Sequence, residues 1–96
     1  MTLPITFDPA ATVDVIDAVH WYEGQRAGLG AQFYAEISRL AALAAKHPGR
    51  YPYILQDIRR LSSRRFPYSL YFRATPASIV VLAVFHTRRS TARLAP

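Results

Sequence analysis

No cysteine occurs in the 96 residues, which excludes disulfides, thiolate metal sites and thiol nucleophiles. The fold must hold by packing alone. Histidine is scarce, at three, and no two of the three stand at metal-ligand spacing. Glycine is scarce too, and Gly24, Gly28 and Gly30 sit between helical patterns with no strand before them, so they form no phosphate-cradling loop. No metal and no cofactor are therefore expected. The longest apolar run, Ile79 to Phe85, is far shorter than the roughly 18 to 20 residues that cross a bilayer. Pro4, Asp8 and Pro9 interrupt the beginning, where a secretory signal would need an unbroken apolar stretch. The expectation is a cytoplasmic protein with no membrane partner.

Acidic residues are few: six Asp and Glu against twelve Lys and Arg, a net charge of +6. The balance is uneven along the chain. Residues 1–45 hold two Arg against five acids, whereas residues 46–96 hold ten basic residues against Asp57 alone. The halves carry −3 and +9. Such a basic half attracts polyanions or an acidic partner. All but one of the basic residues are arginine, whose planar fork suits carboxylate and phosphate better than a lysine point charge does. An apolar fraction of 51% provides for a core, and the length suits one domain over residues 1–96.

Residues 3–7, LPITF, read as a short strand that stops at Asp8-Pro9, an N-cap followed by proline at the first helical position. A helix follows to about Gln25, with Val15, Val19 and Tyr22 at helical spacing and Ile16 and Ala18 beside them. His20 is expected in packing between helices. Asp14, Asp17 and Glu23 fall on the remaining surface with no evident partner. A second helix is the clearest local signal: Leu29, Phe33, Ile37, Leu40, Ala41 and Ala44 recur in steps of three and four. His47-Pro48-Gly49 ends it, and Arg50 to Gln56 reads as an ordered loop.

After Asp57 the period becomes two. Ile58 to Arg64 is expected as a strand with a bulge or shortening, because Ile58 and Leu61 differ in parity. Tyr68, Leu70 and Phe72 alternate with Ser69, Tyr71 and Arg73 in a half-buried strand, and Ile79 to Phe85 reads as a central strand covered on both faces. Residues 87–96 lack apolar periodicity and are expected to form a strand extension or a flexible tail. The result is an α+β fold, strand-helix-helix-strand-strand-strand, with a helical hairpin on one face of a small, largely antiparallel sheet.

With the helices on one face, Ser69, Tyr71 and Arg73 are expected on the other, near the arginines at 59, 60, 64 and 65. This makes a basic, aromatic surface suited to nucleic acid or to an acidic protein segment, and the residues do not separate the two. His86, just before Arg88 and Arg89, stands where an imidazole can transfer protons, or where it is simply hydrogen-bonded in the structure.

Five segments in this order and spacing resemble the ParE branch of the RelE/ParE toxin superfamily, the plasmid stabilisation proteins. They are WYEGQRAGLGAQF from Trp21, HPGRYP from His47, IRR from Ile58, RFPYSLYFR from Arg65 and VLAVFHTRR from Val81. The resemblance covers nearly the whole chain. It implies the toxin half of a type II toxin-antitoxin pair, neutralised by a ParD-like antitoxin and acting on DNA gyrase without enzymatic chemistry. Antitoxin or target contacts are then expected at Arg59, Arg60, Arg64, Arg65, Tyr71, Arg73, Arg88 and Arg89. The alternatives it leaves are a degenerate, non-toxic binding module and a ribosome-dependent mRNA endonuclease of the RelE type. In that endonuclease pattern Arg60, His86 and Arg88 would act, while the third-strand arginine falls on Ser69, which cannot supply a cation. After Arg89 the chain reads STARLAP, where ParE-like chains often continue with Asp-Pro and a tryptophan.

Overall fold

A computed structural model describes residues 2–95. The chain runs β1 (Ile5–Phe7), α1 (Pro9–Gln25), α2 (Leu29–Lys46), a 3-10 turn (Pro48–Arg50), β2 (Tyr53–Leu55), β3 (Ile58–Ser62), β4 (Tyr68–Ala74), β5 (Ile79–His86) and a 3-10 turn (Ala92–Leu94). The five strands form one sheet in the order β1-β5-β4-β3-β2. β1 pairs parallel to β5, with Ile5 opposite Ile79, and every other pairing is antiparallel. No helix among the described residues is long and apolar enough to cross a membrane.

Local chemistry sets the helix ends. The Asp8 carboxylate accepts the Ala10 N–H at 3.0 Å, and Pro9 fills the first helical position of α1. The Glu23 carboxylate, in the last turn of α1, accepts the N–H groups of Gly28 at 2.9 Å and Gly30 at 3.0 Å. A side chain of one helix thus caps the next, where a negative charge also suits the helix dipole. The connection requires glycine twice. Gly28 has φ +88°, and a Cβ on Gly30 would stand 2.7 Å from the Val19 carbonyl oxygen.

The helical hairpin covers one sheet face. Ala11, Val15, Ala18 and Tyr22 of α1 and Phe33, Ile37, Leu40, Ala41 and Ala44 of α2 meet Leu61, Leu70, Phe72, Val81 and Val84. At one end Tyr22 stacks on Phe33 at 5.1 Å, and Phe66 meets both rings edge-on. The other sheet face carries a smaller core of Ile58, Tyr71, Ala83 and Phe85, partly covered by Ile54, Leu82 and Leu94.

Several expectations are corrected in detail. The Arg50 to Gln56 segment contains β2, so the order is β-α-α-β-β-β-β and the sheet has five strands. The strand expected over Ile58 to Arg64 is shortened, ending at Ser62, and it has no bulge against β4, since the β3–β4 register runs unbroken from Ile58 to Ser62. Ile58 and Leu61 differ in parity because they serve different faces, Ile58 the small core and Leu61 the large one. The irregularities lie instead between β2 and β3 and between β4 and β5. β5 lies inside the sheet between β1 and β4, and β4 occupies the middle. Ile16, expected on the core side, is 48% exposed, and His20 is exposed as well.

Candidate functional site

The residues expected on one basic surface are distributed over several. Tyr71 is corrected first: it is 2% exposed, since Phe85 lies 5.6 Å away and Ile58 and Leu82 pack around it. It is a core residue of the far face and offers nothing to a partner. Ser69 is buried too, its hydroxyl 2.7 Å from that of Ser62 across the β3–β4 pair.

The arginines divide by what holds them. Arg59 donates to the Tyr51 carbonyl and the Tyr53 hydroxyl, both at 2.6 Å, and its guanidinium lies 3.8 Å above the Tyr53 ring. It braces β2 against β3. Arg73 of β4 pairs with Asp57 of the β2–β3 turn at 2.7 Å. Arg65 donates to Gln32 of α2 and lies over the Phe66 ring. Arg88 and Arg89 are exposed beyond β5, with Arg89 4.6 Å above the Phe85 ring. Arg60 and Arg64 are exposed on the opposite flank, where α2 and β3 also bring Arg39 and Arg50 around a cleft of about 540 Å³.

His86 ends β5 on the helix side of the sheet. Its Nδ1 accepts the Arg88 N–H at 3.1 Å, which leaves Nε2 as the free nitrogen. Its ring meets Tyr68 edge-on at 5.5 Å. Together they border a cleft of about 270 Å³ shared with Asp17, Trp21 and Arg89, in which Trp21 is 59% exposed. Burial holds the Tyr68 hydroxyl above its ordinary pKa, against the opposing pull of Arg89. Arg60 does not approach this cleft. It aligns with Tyr71, whose side chain belongs to the far face, whereas His86 aligns with Tyr68, which packs on the helix-side core. Arg60 and His86 therefore leave the sheet on opposite faces.

Sequence reasoning missed Asp14. Its carboxylate accepts the Val84 N–H at 3.0 Å and both Arg93 terminal nitrogens at 2.9 and 2.6 Å. Val84 lies beyond the stretch of β5 that β1 covers, so Asp14 satisfies a donor on an open strand edge. Residues 87–95, expected as an extension or a tail, turn away after His86, and Arg93 reaches back to α1 from the 3-10 turn. Among the described residues no cluster of three His, Asp or Glu stands together.

Residues 5–91 match the model of the family described as ParE toxin of type II toxin-antitoxin system, parDE. No curated protein sequence matches the chain. A solved structure titled as a chromosomal ParDE TA system from P. aeruginosa superposes with a TM-score of 0.78 at 16% identity, covering 88% of this chain and 96% of that one. At that identity the likeness is one of fold.

Proposed function

Since the chain belongs to the ParE toxin family of type II toxin-antitoxin systems, we propose that it is neutralised by a cognate ParD-like antitoxin and acts on DNA gyrase in the cytoplasm without cleaving RNA. One observation carries the choice of target: the groups a ribonuclease would need do not converge. Arg60 and His86 lie on opposite sheet faces, and Ser69 is buried against Ser62. In-line attack by a ribose hydroxyl builds negative charge on the phosphate, and losing one preorganised stabiliser costs a factor of about 100 to 1,000. Arg88 alone cannot replace a set of that kind. Target and antitoxin contacts are assigned to exposed guanidiniums, Arg60, Arg64, Arg88 and Arg89, with Arg59, Arg65 and Arg73 as arginines already engaged within the fold.

The test is expression in a sensitive host without the neighbouring reading frame. Filamentation, gyrase-linked DNA breaks and intact messenger RNA in primer-extension maps are expected, with rescue on co-expression of the neighbour. Cleavage at translating ribosomes that Arg60→Ala or His86→Ala abolishes would replace this reading with the ribonuclease one. Growth unaffected by the chain alone would replace it with a non-toxic binding module.

A further inference from the structure

The cleft beside the C-terminal half of α2 is rimmed by arginines. Arg39 of α2, Arg50 of the following 3-10 turn, Arg60 of β3 and Arg64 just after it surround about 540 Å³ of open space. The ion pairs among the described residues are Arg39–Glu36, Arg73–Asp57 and Arg93–Asp14. Among the described residues, three of the four rim arginines thus have no carboxylate partner. Their charges repel one another, and the arrangement is relieved by an anion that several forks can share. The floor is apolar: Leu43 is half-buried there, and Leu40 and Leu61 belong to the main core.

A second feature adds to the charge. Pairing of β2 with β3 ends where the Arg60 N–H meets the Pro52 carbonyl at 3.2 Å. Beyond it the outer edge of β3 at Ser62, which lines the cleft, has no strand beside it. An open edge accepts an extended backbone, with alternate side chains entering the space next to it.

From these features we infer that the cleft receives an extended acidic peptide segment, with carboxylates on the arginine rim and an aliphatic side chain on the leucine floor. A phosphodiester would use the rim and leave the floor wet, and this decides for the peptide. The inference rests on the reading that a protein antitoxin neutralises this chain, and it places part of that contact at Arg39 and Arg50.

The probe is a fluorescein-labelled ten-residue peptide of Asp and Glu with two central leucines, followed by anisotropy against the full chain. A matched Asn/Gln peptide and a ten-nucleotide thymidine oligomer serve as comparisons. Binding to the acidic peptide is expected to weaken with salt and to fall at least tenfold in the Arg50→Glu/Arg64→Glu variant. That variant should melt with the wild type, since neither side chain is engaged in the fold. Arg26→Glu, an exposed arginine between the helices, should bind as the wild type does. Unchanged affinity in the double variant, or equal binding of the neutral peptide, overturns the assignment. Tighter binding of the oligomer, lost in the double variant, overturns it in favour of a phosphodiester. Gyrase poisoning without cleft-dependent peptide binding removes the cleft alone, whereas peptide binding without toxicity removes the toxin reading alone.

Discussion

Replacing Glu36 tests the least obvious contact in the core. This carboxylate is 7% exposed on α2, yet it accepts Arg39 Nε at 2.8 Å, Arg39 Nη2 at 3.0 Å and the Ser63 hydroxyl at 2.6 Å. Ser63 Oγ in turn accepts the N–H groups of Arg65 and Phe66, both at 3.0 Å, so Glu36 fastens α2 to the β3–β4 turn. The Arg39 guanidinium is solvated, and its share is screened. The bond to Ser63 is sheltered and charged, a kind that contributes about 1.5 to 3 kcal/mol. Glu36→Ala removes it and leaves a void, for a loss of about 2 to 4 kcal/mol. Glu36→Gln keeps a neutral acceptor and should lose about 1 to 2 kcal/mol.

The pH dependence gives a separate check. The hydrogen bonds from Arg39, aided by Ser63 and opposed by burial, hold the Glu36 carboxyl below its ordinary pKa. A depressed folded pKa means stability fully present above the unfolded value of about 4.3 and lost as pH falls through the folded one. The gap between wild type and Glu36→Gln in urea melts should therefore be full at neutral pH and shrink as pH falls below the unfolded value of about 4.3. Coincident melts at neutral pH, or a gap that widens on acidification, would refute the account.

Two further predictions concern packing. Gly30→Ala forces a methyl against the Val19 carbonyl at 2.7 Å and should cost about 1 to 3 kcal/mol despite alanine's better helix propensity; a more stable variant in a thermal melt would contradict the close approach. Ile37→Ala should lose about 2 to 5 kcal/mol from the main core, and Leu82→Ala distinctly less because Leu82 is only half-buried; equal losses in chemical denaturation would mean that the two sheet faces are wrongly ranked.

What could be read in the sequence was what neighbours in the chain decide. The steps of three and four from Leu29 to Ala44 gave α2, and Asp8-Pro9 gave the start of α1, because helices and caps depend on residues a turn apart. β2 escaped because Tyr53-Ile54-Leu55 is too short to show a period and follows Pro52. Tyr71 was placed on a free surface since alternation assigns it a face without telling what covers that face; its cover comes from Leu82 and Phe85 on another strand and from Leu94 nearby. Asp14 lacked a visible partner because Arg93 lies at the opposite end of the chain. Arg39 and Arg50 read as ordinary solvated charges, and only the packing of α2 on β3 brings them to Arg60 and Arg64.

The parallel pairing of β1 with β5 bears on how the chain emerges from the ribosome. The Glu23 clasp and the helical hairpin use contacts a few residues apart, which form within microseconds of becoming available. Ile5, by contrast, waits for Ile79, and the apolar stripes of both helices wait for β4 and β5. At about 5 to 20 residues per second, this leaves a nascent hairpin with an uncovered face for several seconds. The last strands to be synthesised complete the core, so a truncated product lacking β5 would expose that face and be removed by proteases. Translation through β5 is thus a condition for a folded molecule, and synthesis of that strand times its appearance in the cell.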